Sequence, residues 1–317
     1  MTRFILQRLG ETALVLLLMS YVIYGLIGLM PGDPIDLMIA SDPALTPADA
    51  VRLKAVYGLD RPLHERYAAW IGAAFEGDFG YSRLHARPVL EVLWPRLGNT
   101  ALLMGTSFVL ALALALPAGV FAALRPHSPA DHLVNLAAFA GISMPPFWLA
   151  ILLIILFAVV LGVLPAGGTA TVGDGGFIDR ARHLALPVAT LTLVSAGALV
   201  RYVRAAMLEA LRQDYVRTAR AKGVGPARLV IGHALRNAMI PVVTILALDF
   251  GGLFSGALVT ETMFAYLGMG KTIFDAIMGN DYNLALVGLL FATAVVLLSN
   301  LAADLAYAWL DPRIAYR

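Results

Sequence analysis

Gln213-Asp214-Tyr215-Val216-Arg217-Thr218-Ala219-Arg220-Ala221-Lys222-Gly223, followed by Val224-Gly225-Pro226, reads as a short helix with both ends marked. Asp214 is placed to cap the first amides of a helix from Tyr215. Arg220 and Lys222 suit the negative end of the helix dipole. Gly223 can take the left-handed conformation that stops a helix. Gly225 and Pro226 then restart the chain as a new helix, with proline at a tolerated first position.

The surrounding stretch, residues 201–241, lies between two long apolar segments. It carries Arg201, Arg204, Arg212, Arg217, Arg220, Lys222, Arg228 and Arg236 against only Glu209 and Asp214. A cytoplasmic loop of any membrane protein accumulates such charge. Topology accounts for the charge but not for a capped helix with a glycine stop, which is the form of a rigid element presented for docking.

The rest of the chain supplies the membrane. Of its 317 residues 60% are hydrophobic and 14% charged, with mean hydropathy +0.79. A soluble domain carries nearer a quarter charged residues. The fold class is therefore an all-α polytopic membrane protein. About six spans are expected, near residues 12–30, 101–124, 133–164, 184–203, 239–260 and 284–310. Pro117 and Pro145-Pro146 interrupt two of them, as neighbouring helices permit in a membrane. The first span follows Arg3 and Arg8 and resembles the start of a signal peptide, but it is long enough to cross and has no small-x-small cleavage site. Residues 1–30 are read as a first transmembrane helix, 31–98 as a small helical external loop subdomain, and 99–317 as a five-helix core containing the 201–241 loop. Within the external loop, Thr46-Pro47-Ala48-Asp49 to Gly58 reads as one helix, Pro62 to about Gly77 as a second, and Pro88 to Leu93 as a third. Its aromatics, Tyr57, Tyr67, Trp70, Phe75 and Phe79, suggest that the loop packs into a small cap.

Charge asymmetry sets the orientation. The N-terminus, the loop at residues 125–132, the basic loop and the tail hold Arg3, Arg8, Arg125, the basic cluster, Arg313 and Arg317. The two short loops on the other side hold Arg180, Arg182 and Lys271. Both termini are thereby placed in the cytoplasm. No internal repeat is evident, which disfavours transporters built from inverted halves.

Chemistry-bearing motifs are sparse. Gly268-Met269-Gly270-Lys271-Thr272 invites a phosphate-loop reading, but Ala265 stands where the motif needs its first glycine, and no soluble strand and helix frame it. The stretch is therefore not read as a nucleotide site of this chain. The chain has no cysteine, and its six histidines make no metal-binding spacing beyond the weak His127/His132 pair. No nucleophile elbow occurs. Tyr202 and Tyr215 are the only aromatics in the basic loop, which sets nucleic acid aside. Two intramembrane acids remain. Asp304 is read as a structural partner of a cytoplasmic arginine. Asp249, beside Phe250-Gly251-Gly252, either lines a passage and meets a cargo ammonium group or is a packed, hydrogen-bonded acid.

The basic loop resembles the "EAA" loop of permease subunits of ABC importers, in the dipeptide/oligopeptide branch. The family pattern is Glu-Ala-Ala, three residues, Gly, then nine residues before Ile-x-Leu-Pro. Gly223 matches the glycine, Ala219 the last position of the triplet Arg217-Thr218-Ala219, and Leu235 the leucine of His233-Ala234-Leu235-Arg236. Gly58-Leu59-Asp60-Arg61-Pro62, Gly77-Asp78-Phe79-Gly80-Tyr81-Ser82 and Arg96-Leu97-Gly98-Asn99-Thr100 also look like the peptide branch, so the resemblance covers nearly the whole chain.

That resemblance implies a type I ABC importer permease fold in a bacterial inner membrane. It implies a coupling helix, Asp214, Tyr215, Arg217, Thr218, Ala219, Arg220, Lys222 and Gly223, seated on a separate ATPase subunit. Asp249 and Glu261 are assigned to the translocation path. The implied partners are a second, related permease in a heterodimer, two ATPase subunits holding ATP and Mg, an extracytoplasmic substrate-binding protein, a peptide substrate and membrane lipid. The chain itself would need no cofactor and would be no enzyme. The rival reading is a proton-coupled secondary transporter using Asp249 and Asp304 as a relay. A permease for nickel chelates or glutathione-like compounds is the alternative within the family.

Overall fold

The computed structural model describes residues 2–29 and 61–310. Ten α-helices are named here: α1 (Thr2–Ile27), α2 (Leu63–Phe75), α3 (Val89–Leu124), α4 (Pro129–Ser143), α5 (Pro146–Leu153), α6 (Phe177–Leu211), α7 (Asp214–Ala221), α8 (Arg236–Met263), α9 (Met269–Met278) and α10 (Tyr282–Leu310). The π-helical stretch Ile154–Val160 extends α5, and a single turn, Pro226–Arg228, with a second π-helical stretch, Leu229–Leu235, leads into α8.

Among the described residues four helical segments are long and apolar enough to cross a membrane: Ile5–Ile27, Val89–Leu124, Phe177–Leu211 and Tyr282–Ala302. A fifth crossing is formed if Pro129–Ser143 and Pro146–Val160, bent by 102°, count as one. The bend falls where the sequence places Pro145-Pro146. Met144 and Pro145 each precede a proline and take extended ψ values of 122° and 135°, because a proline ring disfavours the helical region for the residue before it. The span expected at residues 239–260 lies inside α8, much of whose side-chain packing is outside the described residues.

The core is divided along the bundle. One cluster gathers Val89, Leu93, Leu103, Leu186, Phe264, Met269 and Leu284; the other gathers Ala111, Ala115, Leu199, Val203, Met207, Val216, Leu229 and Val242. α3 runs through both and packs along α6. Small residues set the helix spacing: a Cβ on Gly197 of α6 would lie 2.5 Å from the Ala138 carbonyl of α4, and one on Gly141 would lie 2.8 Å from the Leu193 carbonyl. Such backbone approach is how helices associate where lipid gives no hydrophobic drive.

α2 leans on α1: Ser20 Oγ and the Tyr67 hydroxyl are 2.6 Å apart, and Tyr21, Tyr24, Tyr67 and Trp70 form one ring cluster. Phe79 meets Phe291 of α10, and Phe75 is exposed. Pro88 to Leu93 is no separate helix; Pro88 stands at the N-cap and Val89 to Leu93 open α3. The helix expected from Thr46 to Gly58 lies outside the described residues. A short antiparallel hairpin, β1 (Tyr81–Ser82) with β2 (Arg87–Pro88), precedes α3. Buried Asp281, at the start of α10, accepts from Ser82 Oγ at 2.5 Å and from the Leu84 amide at 3.0 Å. A carboxylate from 199 residues away thus holds the hairpin in place.

Candidate functional site

α7 is held by two small apolar side chains. Val216 and Ala219, three residues apart and so on one face, are buried against the cluster that includes Leu229 and Ala234. The remaining positions, Asp214, Tyr215, Arg217, Thr218, Arg220, Ala221, Lys222 and Gly223, face outward. The Tyr215 hydroxyl hydrogen-bonds Asn237, and burial raises its pKa above the ordinary phenol value. Asn237 in turn donates to the His233 carbonyl at 2.7 Å. This ties the exposed helix to the first turns of the helix that follows it.

Its two ends are built differently from each other. Asp214 does not cap: Gln213 holds the N-cap position with no side-chain cap bond, and Asp214 is the first helical residue. There its carboxylate pairs with Arg217, and its charge still suits the positive end of the dipole. The other end follows the sequence reading. Gly223 has φ +78°. Its amide donates to the Arg220 carbonyl at 3.0 Å, and the Val224 amide donates to the Ala219 carbonyl at 3.2 Å. These two bonds make a Schellman motif. Val224 completes it by packing on the same cluster as Ala219. Gly225 then caps the Pro226 turn, so the chain re-enters the bundle as one helical run to Met263.

Below α7, α6 is fixed to α4 by charge. Asp131, 2% exposed, accepts from Arg204 Nε at 2.6 Å and from a second guanidinium nitrogen at 2.7 Å. Asn135 and the His127 amide also donate to this carboxylate, at 2.7 and 2.9 Å. The Arg204 bonds hold the Asp131 pKa down at about 2. Nearby, the Arg201 guanidinium sits 4.4 Å from the Phe139 ring centre, close enough for a cation–π contact. Sequence reading missed Asp131. Its signal was present as a helix start, Ser128-Pro129-Ala130-Asp131, where the Ser128 hydroxyl caps the Asp131 amide at 3.2 Å.

Glu261 lies far from α7. It is at the opposite end of α8, roughly 38 Å along the axis at 1.5 Å per residue from Arg236. The Glu261 carboxyl group, expected along the path, is fully buried within this chain. It accepts from Thr100 Oγ1 at 2.5 Å, from the Lys271 amide at 3.0 Å and from the Gly270 amide. Thr100 Oγ1 also receives the Met269 amide at 2.8 Å. The glycine-rich turn that imitates a phosphate loop is therefore a helix N-terminus whose amides are taken up by the chain's own Glu261 carboxyl group. A Cβ on Gly268 would sit 2.1 Å from Glu261 Oε1, so the glycine is what lets the carboxylate in. Asp249 is in α8, but its side chain lies outside the described residues. Asp304 pairs with Arg8, Nε to Oδ2 at 3.3 Å, as the structural reading expects.

Comparison with known proteins gives one consistent answer. A family model described as the binding-protein-dependent transport system inner membrane component matches residues 115–316, and its N-terminal companion matches residues 1–104. The chain is 38% identical over 318 residues to the oligopeptide transport system permease protein AppB of Bacillus subtilis strain 168, covering 100% of both chains. It is 36% identical over 339 residues to the dipeptide transport system permease protein DppB of Escherichia coli K12, again with both covered in full. The di/tripeptide transport system permease protein DppB of Pseudomonas aeruginosa UCBPP-PA14 is 38% identical over the same coverage. Among solved structures, a chain of the MetNI methionine ABC transporter in an inward-facing conformation superposes with a TM-score of 0.57 at 19% identity, covering 70% of this chain and 97% of that one. That likeness speaks to the fold.

Proposed function

The chain belongs to the family of binding-protein-dependent transport system inner membrane components, and from that premise we propose that it is one of two related permease subunits in an ATP-driven importer of di- and oligopeptides. It is a multi-pass membrane protein and a transport component rather than an enzyme. The peptide cargo is carried over from the names of full-length relatives. A second permease, two ATPase subunits holding ATP and Mg, and an extracytoplasmic binding protein complete the assembly. Six crossings with both termini in the cytoplasm put α7 on the ATPase side.

The observation that carries the reading is α7 itself. It is outward-facing, stopped by a Schellman motif and pinned through Val216, Ala219 and the Tyr215–Asn237 bond. An ATPase dimer that closes on ATP shifts a permease between two states only if the ATP-bound form prefers one spacing of such helices. A stiff helix delivers that preference to α6 and α8, between which it lies in sequence. A flexible loop would dissipate it.

The test is reconstitution. The chain purified from its native membrane in mild detergent should bring two ATPase subunits with it, and peptide uptake into proteoliposomes should require ATP. Uptake by this chain alone on a proton gradient would overturn the reading in favour of a secondary transporter.

A further inference from the structure

At the end of α3 opposite the Arg125 loop, a cavity of about 450 Å³ is lined by His85, Arg87, Glu91, Val92, Pro95 and Arg96. Its size falls in the range of small-molecule sites. Glu91, Val92, Pro95 and Arg96 share one face of the first two turns of α3, at helical spacings of one, four and five residues. Arg87 and His85 come from the hairpin, whose position is fixed by Ser82 and Asp281. Both signs of charge therefore face one concavity from two elements.

Those charges do not neutralise one another. Among the described residues the side chains of Glu91 and Arg87 make no ion pair or hydrogen bond. Arg96 reaches the Leu267 carbonyl at 3.4 Å and has the Asp275 charge nearby, neither of which belongs to the cavity wall. Opposite charges around a cavity that leave each other unpaired leave room for a ligand with a cationic and an anionic end. The orientation placing α7 in the cytoplasm puts this cavity on the outer face, where cargo arrives and where arginine has no topological reason to accumulate.

We infer that this cavity is an entry site for short zwitterionic peptides, with Arg87 and Arg96 receiving the terminal carboxylate and Glu91 the terminal ammonium group. The inference rests on the peptide-importer reading and adds a contact this chain makes with cargo before translocation. Charge-assisted contacts of this kind are each worth roughly tenfold in affinity.

The chain has no native cysteine, so Pro95→Cys gives it a unique label on the cavity wall. In the assembled importer, millimolar free dipeptide should slow labelling by a membrane-impermeant maleimide. The same dipeptide acetylated at one end and amidated at the other should not. Glu91→Gln and Arg87→Gln, each in the Pro95→Cys background, should raise the protecting concentration about tenfold. Equal protection by the blocked peptide, protection unchanged in both variants, or no protection while the importer still takes up dipeptide would overturn the entry site and leave the importer reading standing. Failure of the wild-type assembly to take up any peptide would overturn that reading instead.

Discussion

Asp131 and Arg204 form a two-pronged ion pair that joins the first turn of α4 to α6 shortly before α7 begins. α4, and with it the sharply bent pair, is thus joined to the helix that leads into α7 by a polar contact as well as by apolar packing. Removing one partner leaves a mostly buried guanidinium without its counter-charge. We expect Asp131→Asn to cost about 2–4 kcal/mol, somewhat below the fully buried case because Arg204 keeps a fifth of its side chain exposed. Thermal unfolding of the detergent-solubilised importer measures this. A change within experimental error would show that the pair is dispensable.

The same pair fixes a pH dependence. The folded pKa of Asp131 is lowered to about 2, below the ordinary carboxylate value of about 3.9. Its stabilisation is therefore complete above the unfolded pKa and is lost as pH falls through the folded one. The stability gap between wild type and Asp131→Asn should stay flat from about pH 5 to 8 and narrow only below about pH 4. A gap that closed near pH 6 would assign the effect to a neighbouring histidine.

Gly223 makes a cleaner test, since a Cβ there meets nothing within 4 Å. Any penalty comes from the backbone at φ +78° rather than from a clash. Gly223→Val should cost at least about 1–2 kcal/mol locally, uncouple peptide uptake from ATP hydrolysis and leave membrane insertion intact. Gly223→Asn, which tolerates the left-handed region, should retain most uptake. Coupled transport at the wild-type rate in the valine variant would remove the end stop from the mechanism.

Much of this was legible in the sequence because the signals were local. Gly223, the Pro226 restart and the Pro145-Pro146 break depend on the intrinsic φ and ψ limits of glycine and proline, so they survive any tertiary context. Asp214 was misjudged by one position: a carboxylate at the first helical residue satisfies the dipole without capping. Glu261 and Asp281 were opaque for another reason. Their partners, Thr100 and Ser82, lie 161 and 199 residues away, and no periodicity or spacing reports a contact at that range. The glycines around Glu261 are visible in the sequence, but their spacing does not say which acceptor their amides meet.

Asp304 separates the two transport readings. Its pair with Arg8 is over a third exposed on both sides, and pairs of that kind contribute about 0–1 kcal/mol. Asp304→Asn should leave both stability and ATP-dependent uptake near wild type. Loss of uptake with retained assembly would restore a proton relay to consideration.

The buried Glu261 makes the opposite forecast. Its carboxylate joins α3 through Thr100 to the start of α9 through the Gly270 and Lys271 amides. Glu261→Gln keeps the shape but turns a donor toward the amides, so a loss of about 1–3 kcal/mol is expected. Gly270→Ala should be at least as damaging, because its Cβ would come within 2.6 Å of the Leu258 Cα, a backbone atom that cannot swing aside. Both variants should unfold at lower temperature in detergent, while millimolar ATP should shift the unfolding of the isolated wild-type chain by nothing measurable. ATP-dependent stabilisation of the isolated chain would mean that the turn accepts a phosphate in place of Glu261, and the internal-carboxyl account would fall.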